Sequence, residues 1–224
     1  FKSKGYITPE EFRMFCSETV PLARMEKMVY KDEEEIKAII EISHFGGGQL
    51  FNSSVLCRLM NSEGGTIHQQ VFVKDTIGTG NCIPVGTYFF DPVGIQKAQK
   101  LTLEVSIENT PFRNRWDIWV YPSQNEVDRG NVMVTDKLDK NAEKILGSGG
   151  SVLLLTYGKV SKDKGAQVAI GFSSIFWNTA WTNNQAPHTL GILCDPEHPV
   201  FGEFPTEYHS NWQWWDPVSH SQAM

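Results

Sequence analysis

The 224-residue chain has no long apolar run and no excess of basic residues. No stretch reaches the ~18–20 consecutive apolar residues that a membrane-spanning helix requires. Twenty Lys and Arg residues stand against 26 Asp and Glu residues, so the net charge is −6 and the sequence pI is about 5.5. An acidic chain is poorly suited to a polyanionic partner. We therefore expect neither a membrane span nor a nucleic-acid partner.

Cysteine is also scarce, and its spacing matches no metal-binding motif. Cys16, Cys57, Cys82 and Cys194 contain no CxxC pair. Free cysteines are among the most frequently buried residues, so we expect these four mainly to fill apolar space. A disulfide between Cys57 and Cys82, across neighbouring strands, is the alternative.

Motifs for the commoner catalytic chemistries are missing too. There is no HExxH sequence, and His188, His198 and His209 are ten and eleven residues apart, which matches no standard metal site. Cys194 follows an apolar run, as a nucleophile on an α/β fold would. Its flanks in the sequence Leu-Cys-Asp-Pro lack the small residues that a nucleophile turn needs. We therefore expect no metal and no reactive thiol.

Three carboxylates, Glu197, Glu203 and Glu207, lie close in sequence to His198 and His209. A pair of carboxylates can hydrolyse a glycosidic bond. However, three prolines interrupt this tract, so spacing along the chain does not fix the geometry. Caps and hydrogen bonds within an ordered loop are the favoured interpretation. We predict no catalytic residue and no cofactor in this chain.

Residues 1–24 are predicted to form a short helical segment. Thr8 can cap a helix, Pro9 suits its first turn, and Glu11 occupies the capping-box position. Pro21 is expected to end the segment. Because one short helix cannot form a core, it must pack on a neighbouring domain. Both ends of the chain are interpreted as cuts in a longer protein.

Residues 25–122 are predicted to form a β-sandwich of immunoglobulin type. In LTLEVSIEN, apolar and polar residues alternate, as they do on a strand with one buried face. Turn sequences separate several such segments, and no helical pattern intervenes. The predicted strands are IKAIIEISHF, SVLCRLMN, TIHQQVFVKD, GTYFFDPV, KLTLEVSIEN and RWDIWVYP.

Residues 123–224 are predicted to form an open α/β domain. NVMVTDKL and SVLLLTYG are apolar and are expected to be buried strands. Between them lies a helix for which Asp139 is the expected N-cap and Gly147 the expected end. Strand, helix and strand within about 30 residues imply a βαβ unit and a parallel sheet. HTLGILCD is expected to be a third strand.

Tryptophan is concentrated between residues 172 and 215, where five of the seven occur. Flat aromatic rings stack on the apolar faces of sugars, while Asn and His side chains bond hydroxyl groups. Packing inside a core or a domain junction is the more usual role of such residues, and the sequence favours it here. The candidate carbohydrate-binding residues are Trp177, Asn178, Trp181, Asn183, Asn184, His188 and Trp212.

Several phrases of the sequence resemble one family. They are KGYITPEEFRMFCSETVPLARMEK, EISHFG, NRWDIWVYPS, FWNTAW, HTLGILCDPEHP and FPTEYHSNWQWW. Together they resemble the C-terminal part of long glycoside hydrolase family 2 enzymes, which are β-galactosidase-like and β-glucuronidase-like proteins common in gut Bacteroidetes. The resemblance covers nearly the whole chain.

The resemblance implies the order of the domains. A lead-in would follow the catalytic (β/α)8 barrel. An immunoglobulin-like sandwich would come next, and then an inert flavodoxin-like domain similar to class I glutamine amidotransferases. The two catalytic glutamates of the family lie in the barrel, and no position here matches their motifs. Whether this segment acts as an enzyme by itself is therefore doubtful.

The resemblance also implies a role. The chain would be a non-catalytic accessory region that braces the barrel or extends its substrate cleft, in a periplasmic or extracellular glycosidase. Its partners would be its own barrel and glycan. Two alternatives stay open on the residues alone: a carbohydrate-binding module that uses the Trp-rich loop, and an independent hydrolase or amidotransferase built on the α/β part.

Overall fold

The computed structural model describes residues 5–123, 130–164, 170 and 191–221. The chain divides into two compact units. The first comprises Phe1–Ser123 with Gly202–Pro205, and the second Gln124–Phe201 with Thr206–Met224. Strands dominate and helices are few and short. Within the described ranges, no helix is both long and apolar enough to cross a membrane.

The first unit begins with helix α1 (Pro9–Phe15), and its start is the predicted one. Thr8 Oγ1 accepts a hydrogen bond from the Glu11 backbone N–H at 3.2 Å, and Glu11 Oε2 accepts from the Thr8 N–H at 2.9 Å. The predicted end is wrong, because Pro21 lies within a strand, paired with Ile42. Proline is tolerated there because this strand is at the edge of its sheet.

Eight strands complete the first unit. Their bounds are β1 Thr19–Arg24, β2 Val29–Lys31, β3 Ile36–His44, β4 Leu50–Met60, β5 Thr66–Ile77, β6 Gly80–Phe90, β7 Gln99–Ile107 and β8 Arg113–Tyr121. The predicted strands between residues 36 and 122 are confirmed. β1, β2 and the first half of β6 were not predicted.

These strands form two sheets. One has the order β1-β3-β6 and the other β2-β8-β7-β4-β5. Neighbouring strands run antiparallel, apart from the parallel pair β2 and β8. Residues from both sheets belong to one buried apolar cluster, so the sheets pack as a β-sandwich.

Alternate residues of each strand supply the core of the sandwich. On β3 and β7 the buried face is the one that the sequence pattern predicts, because side chains of a strand alternate between its two faces. Ile39 and Glu41, on the other face of β3, are more exposed than their neighbours. The least exposed core residues are Ile36, Ala38, Ile40, Ile42, Val55, Cys57, Leu59, Ile77, Tyr88, Leu101, Leu103, Val105, Ile107, Ile118 and Val120.

The sandwich is closed where β5 and β6 approach each other. Only two residues connect them, and the chain changes sheet there. The Gln70 side chain bonds the backbone of β6: its Nε2 donates to the Thr87 carbonyl and its Oε1 accepts from the Phe89 N–H, both at 3.4 Å. The Phe72 ring lies against Gly86 so closely that a Cβ there would be 2.4 Å from Phe72 Cε1.

The second unit contains the predicted βαβ segment. β9 (Val132–Thr135) and β10 (Ser151–Leu154) pair in parallel, and α2 (Lys140–Gly147) connects them. Asp139 caps α2 as predicted, because its Oδ1 accepts hydrogen bonds from the N–H groups of Asn141 and Ala142 at 3.0 Å each.

The prediction that both strands are buried is wrong. Val134 of β9 is 38% exposed and Leu153 of β10 is 51% exposed. The one helix α2 cannot cover both faces of the two-stranded sheet of β9 and β10, so some of their apolar side chains stay exposed. The described residues add no further strand to this sheet, so what they show is a single βαβ segment.

The segment from residue 191 onward is built mainly of turns. The predicted third strand is only an isolated antiparallel bridge between Leu193 and His209, and residues 188–190 lie outside the described ranges. Proline at 196 and 199 suits turns better than a continuing strand. Beyond it come 3-10 turns at Pro199–Phe201 and Trp212–Trp214, and helix α3 (Trp215–Ser219).

All four cysteines are free thiols, so the Cys57–Cys82 disulfide alternative is wrong. Cys57 is buried as expected, and burial raises its pKa to about 12. Such a thiol stays protonated and unreactive. The expectation of burial is wrong for Cys16, which is exposed, and Cys82 and Cys194 are partly exposed.

Candidate carbohydrate-binding surface

Most of the candidate sugar-binding residues lie outside the described ranges. These are Trp177, Asn178, Trp181, Asn183, Asn184 and His188. Trp212 is described: it opens the 3-10 turn Trp212–Trp214 and is 57% exposed. At this one position the structure therefore gives a solvent-facing tryptophan, in contrast to the packing role that the sequence favoured.

A second exposed tryptophan lies beside it. Trp215, the first residue of α3, is 56% exposed, and its ring centroid is 5.8 Å from that of Trp212, with 39° between the ring planes. The two side chains are three residues apart on consecutive helical turns, which places them on the same side. We call Trp212 and Trp215 the tryptophan pair. Large exposed aromatics of this kind are candidates for a binding surface.

The turn that carries the pair is fixed by hydrogen bonds. Asn211 Oδ1 accepts from the Gln213 N–H at 3.0 Å, and Asn211 Nδ2 donates to Glu207 Oε2 at 3.2 Å. Gln213 is itself buried. Asn211 thus caps the turn in the manner preferred at helix starts. The cap sets the direction in which the next residues project.

Trp214 faces the other way and anchors the turn. Its Nε1 donates a hydrogen bond to Thr206 Oγ1 at 2.7 Å, and its ring meets Phe201 edge to face with centroids 5.7 Å apart. Trp214 is partly buried, and an aromatic ring whose N–H is satisfied is a stable anchor. One tryptophan therefore holds the turn in place while its neighbours at positions 212 and 215 face solvent.

Polar side chains flank the pair along the chain. Asp216 follows Trp215, and its side chain is 87% exposed. His220 Nδ1–H donates to the Asp216 carbonyl oxygen at 2.8 Å, and Nδ1 lies 3.4 Å from Asp216 Oδ1. Carboxylate and imidazole groups beside flat rings can bond hydroxyl groups whose ring carbons rest on the aromatics.

The residues weighed for catalysis form turns instead. The Glu197 N–H donates to Asp195 Oδ1 at 3.1 Å, and His198 Nδ1 accepts from the Val200 N–H at 3.2 Å. These bonds are Asx-type and similar local turns. Glu207 is engaged in holding the Asn211 cap. In the ranges that the structure describes, no three His, Cys, Asp or Glu side chains are grouped to hold a metal ion.

Cys194 lies in the backbone bridge of this region. Its N–H donates to the Tyr208 carbonyl at 2.8 Å, and its Sγ is 3.8 Å from the Ile192 carbonyl oxygen, to which it donates a weak hydrogen bond. This contact gives no support to the independent-hydrolase alternative.

Sequence reasoning missed Trp215 as a surface residue. The sequence WQWW contains three tryptophans within four positions, and nothing in their order says which one turns inward. A pattern with exposed residues at i and i+3 and a buried one between them indicates a helical turn. The sequence alone does not give this exposure pattern, so it could not identify Trp215 as exposed.

Two family profiles match separate parts of the chain. Residues 34–122 match a domain of unknown function (DUF8488), and residues 133–224 match another (DUF8487). The first range covers β3 to β8 of the sandwich, and the second begins in β9. No curated protein sequence matches the chain.

Among solved structures, the chain is distantly similar to several all-β and multidomain proteins. The sporulation control protein Spo0M of Bacillus subtilis has 9% identity and a TM-score of 0.33, covering 49% of this chain and 51% of that one. A β-glucuronidase from glycoside hydrolase family 2 has 10% identity and a TM-score of 0.31, covering 46% and 11%. The β-glucuronidase of Parabacteroides merdae has 8% identity and a TM-score of 0.29, covering 53% and 17%.

The chain thus spans 51% of the first of these proteins and 11% and 17% of the two glucuronidases. The matches include glycoside hydrolase family 2 structures.

Proposed function

We propose that this chain is a non-catalytic accessory region of a glycosidase that acts on β-linked glycans, and that it contacts glycan through the tryptophan pair. The observation that carries the proposal is the exposure of Trp212 and Trp215, 57% and 56%, on a turn that other side chains hold rigid. Rigid flat anchors bind with little loss of conformational entropy.

The chemistry of the pair fits a sugar better than other ligands. The C–H faces of a pyranose are apolar and flat enough to lie on an indole ring, and its hydroxyl groups need hydrogen-bond partners. Asp216, which follows Trp215 in the chain, and His220, which contacts Asp216, offer exposed groups of this kind. A phosphate-rich partner is disfavoured because the chain is acidic overall.

Two of the described carboxylates, Glu207 and Glu11, have structural roles. Retaining hydrolysis needs two carboxyl groups about 5–5.5 Å apart in a site open to substrate. Glu207 is bonded to Asn211, and Glu11 forms part of the α1 cap. This supports an accessory role, in which the parent enzyme hydrolyses glycosides elsewhere.

Finer features of the fold also fit the proposal. β1 joins one sheet and β2, a few residues later, joins the other and runs parallel to β8. A first strand that is divided between both sheets supports an immunoglobulin-like sandwich. The βαβ segment fits the start of a flavodoxin-like domain. A periplasmic or extracellular location goes with this role and rests on the sequence resemblance.

Glycan binding by the full chain tests the role of the pair. We expect the chain to bind oligosaccharides on a glycan array, and both Trp212→Ala and Trp215→Ala to weaken the strongest interaction at least 10-fold in calorimetry. Phe51→Ala is the matched control, because Phe51 is 66% exposed but lies in the other unit. Equal affinity of all four proteins would refute the role of the pair.

The non-catalytic part of the proposal has its own test. Purified chain is incubated with aryl β-glucosides, β-galactosides and β-glucuronides, and release of the aryl group is followed by absorbance. We expect no turnover above a heat-inactivated control. Turnover that persists through purification and disappears in Glu207→Gln or Glu197→Gln would show that the chain carries its own hydrolytic site.

A further inference from the structure

A second concave site lies in the first unit, where α1 packs beside β8. Its volume is about 280 Å³, close to the lower end of the range for small-ligand pockets. Neither the tryptophan pair nor any residue of the second unit contributes to it. Its lining residues are Tyr6, Ile7, Glu11, Met14, Phe15, Asn114 and Arg115.

One side of this pocket is aromatic and open to solvent. Tyr6 is 78% exposed and Phe15 is 56% exposed, while Met14 beneath them is buried. Phe15 is steadied by an edge-to-face contact with Phe12, with ring centroids 5.2 Å apart. A ligand that covers these rings removes apolar surface from water, which favours binding.

The other side carries one positive and one negative group in contact. Arg115 Nη2 lies 3.2 Å from Glu11 Oε1, and the two side chains are about half exposed. Hydrogen bonds from Thr8 lower the pKa of Glu11, so its carboxylate is ionised at neutral pH. Among the described residues, the guanidinium of Arg115 forms its hydrogen bond and its ion pair with Glu11, through Nη2. Its remaining N–H groups can donate to a ligand.

A buried amide fixes the polar side in position. Asn114 is 8% exposed; its Nδ2 donates to the Pro21 carbonyl at 3.1 Å, and its Oδ1 accepts from the Arg115 N–H at 2.9 Å. These bonds hold β8 against β1 at the position where Arg115 projects. The arginine therefore starts from a rigid strand, which favours a defined binding geometry.

The balance of charge decides between classes of ligand. An anion would take Arg115 away from Glu11 and would meet the repulsion of the carboxylate. A purely apolar ligand would remove water from the ion pair without replacing its hydrogen bonds, which is costly. A neutral ring with several hydroxyl groups can accept from Arg115, donate to Glu11 and lay its C–H face on Tyr6. We propose that this pocket binds one neutral pyranose ring.

Nuclear magnetic resonance on the 15N-labelled full chain tests the site. The probes are the methyl glycosides of glucose, galactose and mannose, N-acetylglucosamine, glucuronate as the anion and benzyl alcohol as the apolar compound. We expect at least one neutral sugar to shift the amide signals of residues 6–15 and 114–115 in a saturable way. Glucuronate and benzyl alcohol should shift them at least 5-fold less at equal concentration.

Variants separate this pocket from the tryptophan pair. Tyr6→Ala and Arg115→Gln should each lower the affinity for the neutral sugar at least 10-fold, as measured from the amide shifts of residues 6–15. Trp212→Ala should leave this affinity unchanged. Because Tyr6 is mostly exposed, its replacement leaves the fold intact, which an unchanged spectrum elsewhere verifies. The pocket is refuted if no neutral sugar shifts these signals at tens of millimolar, if Tyr6→Ala binds as tightly as the parent, or if glucuronate binds more tightly.

Discussion

At the scale of single residues, Gly86 has the least room for a side chain among the glycines of the described residues, because the Phe72 ring lies against it. A methyl group at position 86 would collide with the ring at 2.4 Å, and the ring cannot easily retreat because it packs against the core. We expect Gly86→Ala to lower the free energy of unfolding by about 1–3 kcal/mol, the usual cost of overpacking. Urea titration measures it.

Gly80→Ala is the control for that substitution. Gly80 is also in β6, but its nearest non-neighbouring atom to a new Cβ is 3.8 Å away. We expect this variant to change stability by less than half as much. The double variant Phe72→Leu with Gly86→Ala should recover part of the loss. If both glycine variants are equally stable, the collision is not the reason for glycine at position 86.

Asp32 gives a pH-dependent contribution to stability. Ser123 donates from its Oγ at 2.5 Å and from its backbone N–H at 2.7 Å to Asp32 Oδ1, and these bonds lower the pKa of Asp32 below its ordinary value of 3.8. A lowered pKa in the folded state means that the stabilisation is complete above pH 3.8. It is lost as pH falls through the lower value.

We therefore expect the parent to lose more stability than Asp32→Asn between pH 6 and pH 2.5, because asparagine still accepts the bonds but does not titrate. Urea titrations at several pH values measure the difference. Asp75→Asn, at an exposed position of β5, is the control and should follow the parent. Identical pH profiles for all three proteins would contradict the role of Asp32.

At the scale of elements, the seven-residue helix α1 depends on its cap. An isolated helix of this length is not stable, and the Thr8–Glu11 capping box satisfies two backbone N–H groups. We expect Thr8→Ala to lower the local stability of α1 by about 1 kcal/mol, with Thr8→Ser close to the parent. Hydrogen exchange of the amides of residues 12–16 measures the change. Equal exchange rates in Thr8→Ala and the parent would show that the cap does not stabilise α1.

The elements that the sequence predicts correctly are those set by residues close together in the chain. The alternation in β3 and β7 and the caps of α1 and α2 are local patterns, and all four predictions are confirmed. β1 was missed because Pro21 was interpreted as a helix terminator, although an edge strand accepts proline. β9 and β10 were predicted to be buried because they are apolar. Burial depends on what covers them, and composition cannot specify that.

The candidate site shows the same limit. Trp212 was named from the sequence because aromatic and amide residues cluster around it. The exposure of Trp215 depends on a turn whose start Asn211 fixes and on the Trp214–Thr206 bond. The pocket beside α1 combines residues of positions 6–15 with positions 114–115, and no local pattern relates segments so far apart.

At the scale of the whole molecule, the two units differ in their cores. The first unit has the continuous apolar cluster of the sandwich. In the part of the second unit that the structure describes, Ala142 and Val218 are the buried apolar residues. Since a continuous apolar core can unfold cooperatively by itself, we expect the sandwich and the second unit to unfold at different urea concentrations.

Two spectroscopic probes separate the units. Five of the seven tryptophans belong to the second unit, so their emission reports its unfolding, while far-ultraviolet circular dichroism mainly follows the sandwich. We expect the emission and circular dichroism transitions to have different midpoints. Leu59→Ala should lower the free energy of unfolding of the sandwich by about 2–5 kcal/mol. The midpoint of the circular dichroism transition should therefore fall, and the midpoint of the emission transition should not. Coincident transitions that shift together in this variant would show that the units unfold as one.

The chain returns to the first unit at residues 202–205, where the Phe204 ring lies 6.2 Å from that of Tyr121 at the end of β8. The first unit therefore does not end at Ser123, because it also includes residues 202–205. A gene that inherits only codons 1–123 would encode a sandwich without one of its own aromatic contacts.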